Sequence, residues 1–84
     1  MNIAFRPVVW EQHLHWQRHD PTLFRKLNFL IEECLRHPFE GNCKPEPLRG
    51  GLSGFWSRRI DREHRLVYRA TAGELQIIQC RYHY

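Results

Sequence analysis

Apolar residues recur at three- and four-residue steps in one segment of the chain, and this period is typical of an amphipathic helix. The segment begins at Asp20-Pro21, an N-cap residue followed by a proline in the first helical turn. It ends near His37-Pro38, because the residue before a proline disfavours helical backbone. The pattern predicts a helix whose buried face is formed by Phe24, Leu27, Leu30, Ile31, Cys34 and Leu35.

A weaker pattern precedes this helix and predicts a short strand followed by a first helix. Residues 2–6 alternate weakly between polar and apolar positions, as a strand does. Pro7 fits the first turn of a helix over about 8–19, where its missing N–H does no harm. One stripe of this helix would hold Trp10, Leu14 and Gln17, with Trp16 beside it. We expect core positions for Trp10, Trp16, Phe24 and Leu27.

The second half of the chain is predicted to be a long loop and three strands. Residues 38–54 contain three prolines and four glycines, and so long a loop in a small domain usually has a function. Short turns between the following strands make them an antiparallel meander. The predicted strands are 55–60, 64–70 and 75–82, with turns at 61–63 and 71–74.

This order of elements predicts an α+β fold in a single domain covering residues 1–84. Both helices would pack on one face of a twisted, mainly antiparallel sheet. The other face would be open, and we expect arginines there, because seven Arg and only three acidic residues lie between Arg49 and Arg81. Overall, thirteen Lys and Arg against nine Asp and Glu favour a polyanionic partner, and Arg suits bidentate phosphate contacts.

Several classes of protein are excluded by simple features of the sequence. The cysteines, Cys34, Cys43 and Cys80, form no C-x-x-C pair, so neither a disulfide framework nor a zinc site is expected. His15 and His19 have the spacing of a helical metal pair, but no third ligand has a matching spacing, so we expect no metal and no cofactor. No apolar run resembles a signal peptide or a membrane span, which predicts a cytoplasmic protein.

Two residues, Glu46 and His83, could supply acid–base chemistry for cleavage of RNA. Attack by a ribose 2′-OH needs a base, an acid and fixed positive charge near the phosphate. Glu46 lies between two prolines that stiffen its backbone, although most loop carboxylates are simply solvated. His83 is flanked by Tyr82 and Tyr84, whose rings could stack on unpaired bases, although taken alone a terminal histidine is more often a solvated end.

Arg58, Arg59 and Arg65 are the cationic candidates, on the first two strands of the meander. Alternation and the tight turn between the strands place Arg59 and Arg65 side by side. Such a cluster indicates an anion-binding face, while the alternative is that these arginines are solubilising charges on a sheet edge. Trp56 could stack on a base or pack in the core, and core packing is the simpler interpretation.

These residues stand in blocks that resemble one protein family along the whole chain. The sequence resembles the YoeB toxins of the RelE/YoeB superfamily of bacterial toxin–antitoxin systems, most densely over residues 38–84. Five blocks in the same order form a specific signal, unlike a single short motif. The blocks are Pro38-Phe-Glu-Gly41, Lys44-Pro-Glu-Pro-Leu48, Leu52-Ser-Gly-Phe-Trp-Ser-Arg-Arg-Ile60, Glu63-His-Arg-Leu-Val-Tyr68 and Cys80-Arg-Tyr-His-Tyr84.

The resemblance implies a RelE-like, microbial-ribonuclease-like fold and a metal-independent endoribonuclease that cleaves mRNA in the ribosomal A site. It implies Glu46 as general base, His83 as general acid and Arg65 as the residue that stabilises the phosphate. Its implied partners are a YefM-type antitoxin and the ribosome with mRNA, and a homodimer is compatible with it. Substrate contacts are expected from Arg59, Tyr84, Arg58, Lys44 and Arg49, the last at a position where the family commonly has Lys.

Two alternatives keep the fold and change the function. Superfamily relatives that act on gyrase lack an acid–base pair of this kind, so Glu46 and His83 argue against a gyrase-type toxin. A non-catalytic RNA- or ribosome-binding module would need the arginine face alone. Cleavage of mRNA on translating ribosomes separates these functions.

Overall fold

Two helices pack on one face of a five-stranded sheet in the computed structural model, which describes residues 1–82. The strand order is β1-β5-β4-β3-β2, and every neighbouring pair is antiparallel except β1 and β5. The predicted α+β fold with a mainly antiparallel sheet is therefore confirmed. The elements are β1 (Asn2–Phe5), α1 (Pro7–His19), α2 (Pro21–Arg36), β2 (Glu46–Pro47), a 3₁₀ turn (Gly50–Leu52), β3 (Trp56–Arg59), β4 (Arg65–Ala70) and β5 (Glu74–Gln79).

Helix α2 follows the prediction closely. The side chain of Asp20 accepts a hydrogen bond from the backbone N–H of Leu23 at 3.1 Å, as an N-cap does, and Pro21 occupies the first turn. The helix ends at Arg36, just before His37-Pro38. Its buried residues are Leu23, Leu27, Leu30, Ile31 and Cys34, which pack on β4 and β5 in the core.

Helix α1 buries a different stripe from the predicted one. Val9, His13 and Trp16 face the core, and the expectation that Trp10 is a core residue is wrong, since Trp10 is 44% exposed. Because the polar residue His13 lies in the middle of the buried face, the apolar period of α1 is not apparent in the sequence. Its Nε2 lies 2.8 Å from the Asn28 side-chain oxygen on α2, which gives one of the two ring nitrogens a partner.

The meander is confirmed, with a different end for its last strand. Strand β5 ends at Gln79 rather than at Tyr82, because side chains of α1 bind the next residue's backbone. The N–H of Cys80 donates to Gln12 Oε1 at 2.9 Å, and Trp16 Nε1 donates to the Cys80 carbonyl at 2.8 Å. These two hydrogen bonds take the place of ladder bonds and turn the chain out of the sheet.

The core includes two of the three free thiols. Cys34 and Cys80 are fully buried, and burial raises the pKa of Cys34 to about 11 and that of Cys80 to about 12. Both side chains are therefore neutral packing groups near neutral pH. Neither helix in residues 1–82 has the length and apolarity that a membrane span requires.

Candidate active site

Strand alternation divides the side chains of β3 between the two faces of the sheet. Trp56 and Arg58 lie on the face that packs against the helices, and Ser57 and Arg59 lie on the opposite, open face. In an antiparallel ladder, directly paired residues share a face. Glu46 pairs with Ser57 and Arg65 pairs with Arg59, so these four residues all belong to the open face.

The ion pair between Glu46 and Arg65 is the centre of this face. Arg65 Nη2 lies 2.6 Å from Glu46 Oε1 and donates a second hydrogen bond to Ser57 Oγ at 3.0 Å. The Arg65 side chain is 10% exposed, whereas that of Glu46 is 55% exposed. A guanidinium so poorly hydrated interacts more strongly with nearby anions than a surface arginine does. The site therefore has a fixed buried cation with an accessible carboxylate at its mouth.

Backbone hydrogen bonds hold Glu46 in this place from both sides. The predicted loop 38–54 contains the two-residue strand β2, which the sequence analysis did not find. Beyond β2, the N–H of Leu48 donates to the Phe55 carbonyl at 2.9 Å; before it, Arg59 N–H donates to the Cys43 carbonyl at 3.0 Å. Pro47 is tolerated because β2 is the edge strand of the sheet.

Several cations close to this ion pair, either in register or in sequence, are accessible. Arg59 is exposed and lies in register with Arg65, which places two positive charges on neighbouring strands. Lys44 and Arg49 are also exposed, and they lie two residues before Glu46 and three residues after it. A carboxylate with surrounding guanidinium groups can accept a proton and stabilise an anion without a metal. Within residues 1–82, no group of three or more His, Cys, Asp or Glu could hold a metal ion.

The chain returns to this site near its end. The backbone N–H of Arg65 donates to the Tyr82 carbonyl at 3.0 Å, and the Tyr82 N–H donates to His64 Nδ1 at 2.7 Å. Tyr82 therefore lies beside the start of β4. The predicted site residues His83 and Tyr84 lie outside the described residues.

Arg58 does not share the open face, and its predicted role in substrate binding is wrong. Its side chain is fully buried, and its guanidinium binds backbone carbonyls of the segment between α2 and β2. It donates to Glu40 at 2.8 Å, to Asn42 at 3.3 Å and also to His37, while its Nε donates to the Tyr68 hydroxyl at 3.2 Å. The physical reason is its even-numbered position on β3, which directs it toward the helices. Arg58 anchors the segment that leads to Glu46.

Sequence reasoning missed two residues of the site, Ser57 and His64. Ser57 has the same strand parity as Arg59, and that signal was available in the sequence. The contact of His64 with Tyr82 joins residues 18 positions apart and leaves no local pattern.

Comparison with known proteins places this sheet, with two helices on one face and a carboxylate among arginines on the other, among the small toxins of bacterial type II toxin–antitoxin systems. Residues 5–84 match the family described as the YoeB-like toxin of bacterial type II toxin–antitoxin systems. The chain belongs to this YoeB family and has its RelE-like fold. It is 51% identical to Toxin YoeB from Streptomyces coelicolor, with all of both chains covered.

Solved structures agree with this assignment. The YoeB/ParE toxin from Agrobacterium tumefaciens is 45% identical, with a TM-score of 0.96 and all of both chains covered. In a YoeB–YefM complex from Staphylococcus aureus the matching chain is 39% identical, with a TM-score of 0.91, and the match covers 100% of this chain and 98% of that one. The YoeB dimer from the same organism is 40% identical with a TM-score of 0.93 and the same coverage.

The contrast between Arg58 and Arg59 predicts different effects on stability. Arg58→Leu removes a buried guanidinium that donates to three backbone carbonyls and a hydroxyl, so the free energy of unfolding should fall by roughly 3 kcal/mol. Arg59→Leu changes an exposed side chain and should alter it by less than about 0.5 kcal/mol. Urea denaturation of both variants measures the difference. Equal losses would mean that Arg58 does not anchor the 37–42 segment.

Proposed function

We propose that this toxin is a metal-independent endoribonuclease that cleaves mRNA in the ribosomal A site and so inhibits translation. The observation that carries the proposal is the Glu46–Arg65 pair, with its carboxylate exposed and its guanidinium buried. A partly exposed carboxylate can reach a ribose hydroxyl, and a fixed cation beside it can hold the adjacent phosphate. The substrate must carry both groups next to each other, as RNA does.

In the proposed reaction, Glu46 takes the proton of the 2′-OH while the 2′-oxygen attacks the neighbouring phosphorus. Arg65 and Arg59 stabilise the negative charge of the pentacoordinate phosphate. The bond from phosphorus to the 5′-oxygen breaks, and His83 gives its proton to that leaving oxygen. The products are a 2′,3′-cyclic phosphate and a 5′-OH, so no water is consumed in this step.

Arg65 suits its proposed role because its environment is fixed before substrate arrives. Ser57 Oγ and Glu46 Oε1 both bind Nη2 of the guanidinium, and the side chain is 10% exposed. Donors that are already oriented lose little freedom when charge develops on the phosphate. Lys44 and Arg49 are exposed on either side of Glu46, where we propose that they contact flanking phosphates.

The proposed acid His83 follows Tyr82 directly in the sequence. Tyr82 is hydrogen bonded to both His64 and Arg65, so the described part of the chain leads to the site. This position of Tyr82 supports the proposed assignments of His83 as the general acid and of Tyr84 as a contact to the RNA backbone.

The partners that we propose follow from the charge of the open face. The site would act on ribosome-bound mRNA in the cytoplasm, where ribosomes are. A YefM-type antitoxin with an acidic segment would inhibit it by covering Arg59 and Arg65. The Staphylococcus aureus relative that is found in a YoeB–YefM complex supports this proposal, and the YoeB dimer from that organism supports pairing of two copies.

Translating ribosomes with a defined mRNA test the proposed function directly. The wild-type protein should produce new mRNA ends at the A site, with a 2′,3′-cyclic phosphate and a 5′-OH, and chelation of metal that leaves the ribosomes intact should not abolish cleavage. End mapping by primer extension and end-group chemistry measures both. A 5′-phosphate would show that water is the nucleophile, inhibition without new ends would indicate an RNA-binding module, and inhibition of gyrase without new ends would indicate a gyrase-type toxin.

Single substitutions test the assigned residues. Glu46→Ala, Arg65→Ala and His83→Ala should each lower the single-turnover cleavage rate by about 10²-fold or more, since each removes one group that acts in the transition state. Arg69→Ala is the matched control, because Arg69 is an exposed arginine at the far end of the same strand, β4. Retention of half the activity by any of the three variants would exclude the role given to that residue.

A further inference from the structure

We propose that His64 is a positioning residue that fixes the backbone of Tyr82, the residue before the proposed general acid. The Tyr82 N–H donates to His64 Nδ1 at 2.7 Å. The effect of His64 on cleavage rests on the proposed function of His83. The hydrogen bond between His64 and Tyr82 does not depend on that proposal. His64 thereby acts on the reaction through the chain and does not touch the substrate.

The hydrogen bond from the Tyr82 N–H determines which nitrogen of the neutral His64 ring carries the proton. A backbone N–H can only donate, so Nδ1 must be unprotonated and accept. In the neutral ring the proton is then on Nε2, which lies 3.3 Å from Glu63 Oε2. The protonated ring nitrogen therefore lies close to a carboxylate.

The His64 ring is held in place by helix α1. His64 is 8% exposed, and its ring meets that of Trp16 edge to face, with 4.6 Å between the ring centroids. Trp16 is itself anchored, since its Nε1 donates to the Cys80 carbonyl at 2.8 Å. The acceptor that faces Tyr82 is thus part of the packed core and not a mobile surface group.

Tyr82 needs such an acceptor because its backbone is in a disfavoured conformation. Its φ of 67° lies in the left-handed region, which residues with a Cβ rarely adopt unless several contacts impose it. Its carbonyl accepts from Arg65 N–H at 3.0 Å and from Gln79 Nε2 at 2.9 Å. His64 supplies the third contact, at the N–H, and this position lies beyond the end of β5.

His64 directly precedes Arg65 in the sequence. Two adjacent residues therefore position the Tyr82 backbone and supply the guanidinium of the proposed site. The side chain of His64 and the N–H of Arg65 bind the two ends of the same residue, Tyr82. Loss of the His64 contact should therefore misplace the residue that follows Tyr82 while the Glu46–Arg65 pair stays intact. Substrate binding should change little, and the chemical step should slow.

Two substitutions of His64 distinguish the role of its hydrogen-bond acceptor, Nδ1, from that of the rest of the ring. Asn places a side-chain oxygen near the position of Nδ1, whereas Gln places its polar atoms near Nε2. His64→Asn should therefore keep most of the cleavage activity, and His64→Gln should lower kcat by about tenfold to 10²-fold with KM almost unchanged. Equal activities of the two variants, or a rise in KM alone in His64→Gln, would overturn the proposal.

A backbone ester provides a second test that leaves every side chain in place. Cys80 permits chemical ligation of residues 1–79 to a five-residue peptide, in which an ester replaces the amide N–H of Tyr82. The ester should slow cleavage as much as His64→Gln does, and combining the two should add little, because both remove one hydrogen bond. Losses that multiply would show that His64 does not act through this N–H.

Hydrogen exchange distinguishes failure of this proposal from failure of the proposed function. The Tyr82 amide should exchange at least about tenfold faster in His64→Gln than in the wild-type protein, whatever the protein's activity. Unchanged exchange would exclude the contact. Faster exchange together with an active His83→Ala variant would leave the contact in place and refute the role of His83 instead.

Discussion

The proposed site depends on one interaction, the ion pair between the poorly solvated guanidinium of Arg65 and the carboxylate of Glu46. A cation with a side chain that is 10% exposed needs polar partners, and the sheet supplies a negative one by bringing Glu46 to Arg65 at 2.6 Å. The two-residue strand β2 is hydrogen bonded to the sheet on both sides of Glu46, which fixes the position of this carboxylate. It also gives the open face an anionic group among cations, which is the combination that acid–base chemistry on a phosphate requires.

Arg58 and Arg65 show how register assigns different roles to the same residue type. Both are buried, and they lie on adjacent strands of the sheet. Arg58 faces the helices, where backbone carbonyls satisfy its guanidinium, so it stabilises the fold. Arg65 faces outward beside an accessible carboxylate, so its charge can also serve a ligand. The hydrogen bonds of Arg58 hold the segment that leads to Glu46, and the ion pair of Arg65 with Glu46 forms the proposed site.

The sequence predicts those parts of the structure that depend on local signals. Helix α2 has an N-cap, an early proline and a regular apolar stripe, and all three appear in the structure. Strand β2 could not be predicted because two residues carry no period and form a strand only by pairing with β3. The burial of Arg58 was missed because its acceptors lie 16 to 21 positions away, and alternation alone does not say which face is the core. For the site, the residue types and motif blocks indicated Glu46, Arg59 and Arg65. The distances between these residues could be obtained only from the folded structure.

We propose that Glu46 and Arg65 act as one catalytic unit, and a double-mutant cycle measures this most directly. Single-turnover cleavage of ribosome-bound mRNA would be compared for wild type, Glu46→Ala, Arg65→Ala and the double variant. If the pair forms a single catalytic unit, the double variant should be little slower than the slower single variant. Losses that multiply in the double variant would show that the two residues act independently, which would contradict the account.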